Sequence, residues 1–180
     1  MEKDTGTILR LHPLGEYGLI VSWSTAAHGL VRTVARNARK PGSDWYGRID
    51  LFYECELLYR SAKEGDLAAL SSVALLNPRL PLRSELRRLR LASYLCALLQ
   101  ATLEPGAPEE GYHALLTAAL DYTATGEPRA AVLQRFEQRL AELHGLYSPA
   151  VPPHIALANH FSHLPGNRAE LLASLAAQPR

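Results

Sequence analysis

The stretch that decides the fold is Leu-Val-Arg-Thr-Val-Ala-Arg-Asn-Ala-Arg-Lys, which occupies residues 30–40. Its first half is rich in β-forming residues, and its two-residue alternation predicts a strand over Leu30–Ala35. Its second half carries the cations Arg36, Arg39 and Lys40, and a Pro-Gly-Ser run then stops regular structure. A strand that ends in a flexible cationic loop is typical of surfaces that follow a nucleic-acid backbone.

Four further segments around this strand also have strand-like patterns. The predicted segments are Thr5–Leu11, Leu19–Thr25, Ile49–Arg60 and Leu67–Leu76, with a turn at Lys63–Asp66 before the last. In the longest segment, Cys55, Leu57 and Tyr59 share a parity that is expected to face inward. Five consecutive strands without a helical crossover predict a small antiparallel barrel. A five-stranded OB-fold is the leading interpretation, and an SH3-like barrel is the alternative because strand count alone does not separate them.

A change of period marks the end of the barrel. Two prolines within Asn77–Pro81 stop the last strand, and the apolar spacing then changes from about 2 to about 3.6 residues. The predicted helices are Ser84–Leu103, Glu109–Thr123, Pro128–His144, Ile155–Phe161 and Arg168–Ala176. In the first helix, the expected buried stripe is Leu86, Leu89, Ser93, Cys96 and Leu99, widened by Leu91, Leu95 and Leu98. The predicted fold class is therefore α+β, with a barrel domain over residues 1–78 and a helical domain over residues 79–180.

The bulk composition is that of an ordinary globular chain of 180 residues, 47% of them hydrophobic. The formal net charge is only +1, so any cationic binding surface has to be local. The N-terminus lacks the apolar run of a signal peptide, and no stretch reads as a membrane span. Cys55 and Cys96 are far apart and are expected to be buried reduced thiols. Together these features predict a cytoplasmic protein that does not contact a membrane.

The expected nucleic-acid contacts form one cluster on and after the third strand. Its cations are Arg32, Arg36, Arg39, Lys40 and Arg48, and its aromatic side chains are Trp45 and Tyr46. Cations neutralise phosphates and release counterions, while aromatic rings stack on unpaired bases. On a small barrel, this combination favours single-stranded nucleic acid. The alternative is a solvated loop with ordinary surface arginines, in which Asp44 offsets part of the charge.

A second run of cations precedes and enters the first long helix. It consists of Arg79, Arg83, Arg87, Arg88 and Arg90. Cations at a helix N-terminus oppose the helix macrodipole, so either a partner anion or nearby acids such as Glu85 and Asp50 are expected to balance them. The predicted partner-binding surface is the apolar helical domain, which suits an acidic, hydrophobic peptide and is rimmed by Arg83, Arg87, Arg135 and Arg139.

Signals for catalysis and for metal binding are weak. The motifs Gly-x-Ser-x-Gly and Gly-x-Gly-x-x-Gly and the Walker loop are absent from the sequence. His154, His160 and His163 do not have the spacing of a zinc site, and no cysteine lies near them. We therefore expect no catalytic residues, no metal site and no cofactor.

A series of short motifs runs in a fixed order along the chain. The first are Gly6–Leu9, Leu14–Glu16, Leu19–Val21, Gly29, Val34–Lys40, Ser43, Gly47 and Leu51–Phe52. The helical part adds Leu91–Leu95 and Phe136–Gly145. Their order and spacing, over about residues 5–147, resemble the RecO family of bacterial recombination mediators.

The resemblance implies an N-terminal OB-fold, a helical C-terminal domain, and binding and annealing of single-stranded DNA. It also implies loading of the recombinase onto strands coated by single-strand-binding protein, in company with RecR. The C-terminal tail of single-strand-binding protein is then the expected acidic, hydrophobic peptide. Position by position, the match implies that Arg36, Arg39 and Lys40 contact DNA, whereas Arg32 and Arg48 are inferred from their neighbourhood.

The chain also departs from the family pattern. Many members carry a four-cysteine zinc module after the helix that ends at Gly145, whereas residues 146–164 here contain no cysteine, so zinc is not expected. Asn37 stands where a glycine is common, and many relatives continue beyond Arg180, so altered protein contacts are expected. We therefore keep a second hypothesis, in which the chain is a divergent adaptor that recognises an acidic, hydrophobic peptide without binding DNA.

Overall fold

The structure, a computed structural model, describes residues 1–61, 65–105 and 110–176. Its strands are β1 (Glu2–Leu14), β2 (Gly18–Thr25), β3 (Gly29–Ala35), β4 (Glu54–Arg60) and β5 (Leu67–Asn77). After a short 3₁₀ helix at Leu80–Arg83, its α-helices are α1 (Leu86–Thr102), α2 (Tyr112–Thr125), α3 (Ala130–Leu143), α4 (Pro153–His160) and α5 (Arg168–Ala176). The predicted turn at Lys63–Asp66 and the predicted start of the second helix at Glu109 lie wholly or partly outside the described residues.

The five strands close into a barrel in the order β1-β2-β3-β5-β4. β1 pairs antiparallel with both β2 and β4, and β3 pairs parallel with β5. This arrangement is that of the OB-fold, so the predicted fold class is confirmed and the SH3-like alternative is not the one observed. Closure also removes the free sheet edges that would otherwise pair with other chains.

The barrel interior is filled by the inward-facing side chains that the alternation predicted. Val21 and Trp23 of β2, together with Leu57 and Tyr59 of β4, are at most 2% exposed. The Trp23 indole N–H donates a hydrogen bond to Thr33 Oγ1 at 2.8 Å, so this large core residue also has its polar atom satisfied. Each Å² of apolar surface removed from water contributes about 25 cal/mol, which makes this cluster a main source of barrel stability.

Both cysteines are buried and free, as the sequence predicted. Cys55 lies in the barrel core, where burial raises the pKa of its thiol to about 12. The thiol is therefore protonated at neutral pH, which makes it a poor nucleophile and fits a packing role.

The fourth strand is shorter than predicted. It begins at Glu54 rather than at Ile49, because Phe52 has a left-handed φ of +69° that interrupts the extended chain. Phe52 and Tyr53 still join β1 through two backbone hydrogen bonds to Ile8, of 3.0 and 2.9 Å. The alternation that includes Ile49 and Tyr53 reflects packing of a loop against the barrel core, not pairing within the sheet.

α1 buries only part of its predicted stripe. Leu86 is 60% exposed and Ser93 is exposed as well, whereas Cys96 and Leu99 of the same stripe are at most 1% exposed. The three leucines predicted to widen the apolar surface, Leu91, Leu95 and Leu98, are also at most 1% exposed. They share one helical face at i, i+4 and i+7, so the buried surface of α1 extends to that face.

α3 buries the centre of its predicted face, with Leu133, Phe136 and Leu140 at most 1% exposed. Glu137 of the same helix is also buried, and its carboxylate accepts hydrogen bonds of 2.6 and 2.8 Å from the Arg168 guanidinium of α5. This bidentate pair compensates for burial of a charge that would otherwise be strongly unfavourable.

The chain divides into two compact units. One contains Met1–Arg79 and Leu103–His113, and the other contains Leu80–Thr102 and Ala114–Arg180. The segment after α1 thus returns to the barrel, where Pro105 forms an isolated bridge with Leu30. A domain boundary predicted from the sequence divides the chain at one point. It therefore does not show that a later segment belongs to the barrel unit.

A buried arginine joins three parts of the barrel. Arg79 follows β5 with a left-handed φ of +42° and is 2% exposed. Its guanidinium donates hydrogen bonds to the Phe52 carbonyl at 2.8 Å, to Thr7 Oγ1 at 3.3 Å and to the Glu54 carboxylate at 3.1 Å. Of the two alternatives for this cation, pairing with a barrel acid is observed, and Glu54 is such an acid.

Replacement of Arg79 should destabilise the barrel. Arg79→Met keeps a long side chain but removes the donor to the Glu54 carboxylate and the Phe52 carbonyl. We expect the free energy of unfolding to fall by about 3 kcal/mol, because breaking one side of a buried ion pair has a cost of that order. Arg60→Met, at an exposed position of β4, is the control and should change stability by less than about 0.5 kcal/mol. Urea denaturation measures both, and equal effects of the two variants would contradict the role of Arg79.

His144 makes the stability of the helical unit depend on pH. It caps the C-terminal end of α3, and its ring packs edge-on against Phe161 at a centroid distance of 4.9 Å. Burial first, and then the nearby His160, lower the pKa of His144 below its usual value. The unfolded chain therefore takes up a proton more readily than the folded chain, so this contribution is complete above about pH 6.5 and is lost as the pH falls below it.

We expect the free energy of unfolding to decrease as the pH falls from about 7.5 to about 5.5. The decrease is at most about 1.4 kcal/mol per pH unit for each extra proton that the unfolded chain binds. Burial lowers the pKa of His113 in the barrel unit too, so His144→Gln should remove only part of this decrease. His12→Gln, at an exposed position of β1, is the matched control. Chemical denaturation at several pH values is the measurement, and a His144→Gln variant with the pH dependence of the wild type would exclude this residue as a source.

Candidate nucleic-acid interface

A loop of successive turns carries most of the predicted DNA contacts. It runs from Arg36 to Tyr53, between β3 and β4. Backbone hydrogen bonds of 3.0–3.1 Å build it, from the N–H groups of Lys40, Ser43, Tyr46 and Arg48 to the carbonyls of Asn37, Lys40, Ser43 and Trp45. Asn37 has a left-handed φ of +57°, and asparagine is among the non-glycine residues that tolerate this region best. Asparagine is therefore compatible with the backbone that this position requires.

Several contacts hold this loop on the barrel, besides the two hydrogen bonds to Ile8 described above. Trp45 and Ile49 are partly buried and pack against the barrel core. The Arg39 N–H donates a hydrogen bond to the Tyr17 carbonyl at 2.8 Å, which ties the loop to the turn between β1 and β2. At the far end, the buried guanidinium described above holds the Phe52 carbonyl. The exposed side chains of the loop therefore project from a backbone that is anchored at its start, middle and end.

Four of the five predicted cations lie exposed on this loop: Arg36, Arg39, Lys40 and Arg48. Within residues 1–61, 65–105 and 110–176, none of the four takes part in an ion pair. The acids of the loop are Asp44 and Asp50, so the loop has a net positive charge. Such a local field attracts polyanions even though the whole chain is close to neutral.

The other predicted contacts are placed differently. Arg32 lies on β3, where its guanidinium pairs with Asp66 at 2.5 Å. It lines a cavity beside His28 rather than the loop surface. Trp45 is held in the packing of the loop against the barrel, whereas Tyr46 is 83% exposed. Of the two aromatic residues, Tyr46 is therefore the one that is open to stacking.

A groove of about 570 Å³ opens beside the loop. It is lined by Glu16 and Tyr17 of the β1–β2 turn, by Arg36 and Asn37 after β3, and by the start of β5. Our sequence analysis did not identify Glu16, Tyr17 or Asn37 as site residues. The signal that could have found them is the β2–β3 hairpin, because its register places the turn before β2 next to the loop after β3.

A second groove, of about 460 Å³, lies between α2 and α3 of the helical unit. Leu115, Tyr122 and Val132 contribute to its apolar walls, and Arg135 and Arg139 line it as well. Leu115 and Val132 were predicted to be buried, but each is half-buried because it faces this groove. The groove thus combines an apolar surface with positive charge.

The four predicted partner-binding arginines do not form one rim. Arg83 ends the 3₁₀ helix and Arg87 lies in the first turn of α1, where it pairs with Glu85 at 2.5 Å. Neither lines the α2–α3 groove. Arg139 pairs with Glu142 at 2.7 Å. Arg135 is exposed and has no ion-pair partner among the described residues.

The described part of the chain has no candidate metal centre. Over residues 1–61, 65–105 and 110–176, no group of three or more His, Cys, Asp or Glu side chains could hold a metal ion. His28 comes nearest, with Nδ1 2.7 Å from the Asp4 carboxylate and Nε2 3.8 Å from Glu2. Asp4 also accepts the Ala27 N–H, so this cluster holds the β2–β3 turn. Across the same residues, no helix is both long and apolar enough to span a bilayer.

The fold and its loop define a class of protein, with an OB-fold barrel that carries a cationic loop and is followed by a helical unit. Comparison with known families makes the assignment specific. The family profile described as Recombination protein O N terminal matches residues 1–79, and the profile described as Recombination protein O C terminal matches residues 83–149. The chain belongs to the RecO family, which confirms the resemblance seen in its motifs.

Individual relatives agree with this assignment. The chain is 32% identical over 144 residues to the DNA repair protein RecO of Anaeromyxobacter sp. (strain K), covering 80% of this chain and 57% of that protein. It is 36% identical over 168 residues to the DNA repair protein RecO of Gloeobacter violaceus, covering 91% of this chain and 60% of that protein. The chain thus spans somewhat more than half the length of these relatives.

Proposed function

We propose that this chain binds single-stranded DNA through the cationic loop of its barrel. The observation that carries the proposal is the set of exposed cations Arg36, Arg39, Lys40 and Arg48, which have no ion-pair partner among the described residues. A phosphate backbone is the polyanion that such a loop neutralises, and the release of condensed counterions supplies free energy for binding.

Stacking favours an unpaired strand over a duplex. The ring of Tyr46 is exposed on the same loop, and an aromatic ring stacks on a base that is not already stacked within a duplex. Arg32 and Trp45 are expected to contribute less than the other predicted contacts. Arg32 is already paired with Asp66, and Trp45 is partly buried in the barrel packing.

We further propose that this binding serves recombinational DNA repair in the bacterial cytoplasm. Family membership supports this role, as do relatives that bear the name DNA repair protein RecO. In this role the chain anneals single strands and, with RecR, helps to load the recombinase onto strands coated by single-strand-binding protein. Such a mediator binds and positions its partners, so its function does not require a catalytic group.

Removal of the loop charges should weaken DNA binding and reduce its dependence on salt. In the triple variant Arg36→Ala, Arg39→Ala and Lys40→Ala, the slope of log K against log salt should become shallower by about 2, at about 0.7 per lost phosphate contact. Affinity at low salt should fall by about tenfold or more. Fluorescence anisotropy with a labelled oligothymidylate, titrated at several salt concentrations, measures both quantities.

The matched control removes the same charge from other elements. Arg60→Ala, Arg90→Ala and Arg129→Ala together also remove three positive charges, from exposed positions outside the loop. We expect the control to keep nearly the full salt slope. A control variant that loses as much slope as the loop variant would mean that total charge, and not the loop, determines binding.

A second candidate function has its own supporting observation, the α2–α3 groove. We propose that this groove binds the acidic, hydrophobic C-terminal tail of single-strand-binding protein. Apolar side chains of the tail would lie against Leu115 and Val132, and its carboxylates would pair with Arg135 and Arg139. Peptide binding at this groove is compatible with DNA binding by the barrel. In the adaptor hypothesis, peptide binding is the chain's function and the barrel does not bind DNA.

Arg135→Ala and Arg139→Ala together should weaken binding of the tail peptide by up to about thirtyfold, because ion pairs at exposed positions contribute about 0.2–1 kcal/mol each. Anisotropy of a labelled tail peptide is the measurement. Arg129→Ala is the matched control, because Arg129 is an exposed arginine just before α3 that does not line the groove. Unchanged peptide affinity in the double variant would exclude the groove. Peptide binding without any DNA binding would instead favour the adaptor hypothesis.

A further inference from the structure

The groove beside the cationic loop exists because two strands separate. β3 and β5 pair in parallel at Arg32–Leu67, Thr33–Ala68 and Val34–Ala69, and among the described residues the pairing ends there. Beyond Val34 the chain of β3 turns into the loop at Arg36, while β1 and β2 are joined by a turn on the other side. The gap between these segments is the groove of about 570 Å³, a volume in the range of about 300–1,000 Å³ that is typical of small-ligand sites.

The lining of this groove combines three kinds of residue. Val34 and Ala69 contribute short apolar side chains from the paired strands β3 and β5. Tyr17, which is 39% exposed, also lines the groove, as does Arg36. A groove that combines small apolar residues, an aromatic residue and a cation suits a heterocyclic base that is attached to a phosphate.

The position of the Tyr17 ring is linked to the cationic loop. The Tyr17 carbonyl accepts the Arg39 N–H at 2.8 Å, so the turn that carries the ring and the loop that carries the cations are joined through their backbones. Glu16 is the acid that lines the groove. Its charge repels a phosphate, so a phosphate is attracted to Arg36 rather than to Glu16.

We propose that this groove seats one unpaired base of the bound strand, stacked on Tyr17, with the adjoining phosphate at Arg36. The inference rests on the proposed single-strand binding and adds a specific base-binding site to it. The positive charge of the exposed loop attracts any polyanion, whether or not it carries bases. The groove makes the interaction depend on a base being present and unpaired.

The test compares two oligonucleotides of equal length, a normal strand and one in which every base is replaced by an abasic tetrahydrofuran unit. Tyr17→Ala should weaken binding of the normal strand by about five- to a hundredfold, since one base–aromatic stack contributes about 1–3 kcal/mol. It should leave the abasic affinity and the salt slope unchanged, because no phosphate contact is lost. Tyr17→Phe keeps the ring and should bind like the wild type. Tyr147→Ala, which removes a similarly exposed tyrosine from the helical unit, is the matched control.

A spectroscopic measurement covers the case in which Tyr17→Ala does not fold. In Tyr17→Trp, the indole at this position should be quenched more by the normal strand than by the abasic strand, with wild-type protein correcting for the signals of Trp23 and Trp45. Equal quenching by both strands would overturn the base site, as would a Tyr17→Ala variant that binds the normal strand like the wild type. A wild-type protein without saturable single-strand binding would overturn the proposed function itself. A loss confined to the loop variant would keep the proposed function and reject only the groove.

Discussion

The buried guanidinium of Arg79 is the interaction on which the barrel and its loop depend. A cation that is 2% exposed is tolerated only where acceptors surround it, and here they are Thr7 on β1, Glu54 on β4 and the Phe52 carbonyl at the end of the loop. The contact therefore fixes the end of the exposed loop to the interior of the barrel. Together with the packing of Trp45 and Ile49 and the hydrogen bond from Arg39 to Tyr17, this contact holds the cationic loop on the barrel.

Arginine has opposite roles in the two basic runs of this chain. In the run after β5, Arg79 pairs with Glu54, and Arg87 and Arg88 pair with the same carboxylate, Glu85, so these three cations have acidic partners within the protein. In the loop after β3, the cations project into solvent and Asp44 is an exposed acid among them. The difference lies in which acids the fold brings within reach, because the composition of the two runs is similar. This local imbalance is also how a chain with a net charge of +1 carries a cationic surface.

The errors of sequence interpretation have a common physical origin. Residues 49–53 alternate like a strand, yet they form part of a loop, since packing against a barrel also selects alternate apolar side chains. The stripe from Leu86 to Leu99 has helical spacing, yet its members Leu86 and Ser93 are exposed, while Leu99 and the neighbouring leucines are buried. In both cases the local period identified which residues alternate toward a buried side. The contacts made by neighbouring elements decided which of these residues are buried and whether the segment is a strand or a loop.

By itself, the sequence determined the order of the elements, the α+β class, a five-stranded barrel and the place of the cationic loop, whereas the strand order that makes the barrel an OB-fold came from the structure. These follow from hydrophobic period and from turn residues, which act over a few neighbouring positions. The tertiary structure alone decided that Arg79 is internal, that Trp45 packs while Tyr46 is exposed, and that Tyr17 stands beside Arg36 in a groove. Burial and pairing depend on residues distant in the chain, as with Arg79 and Thr7, which are 72 positions apart. No local pattern carries that information.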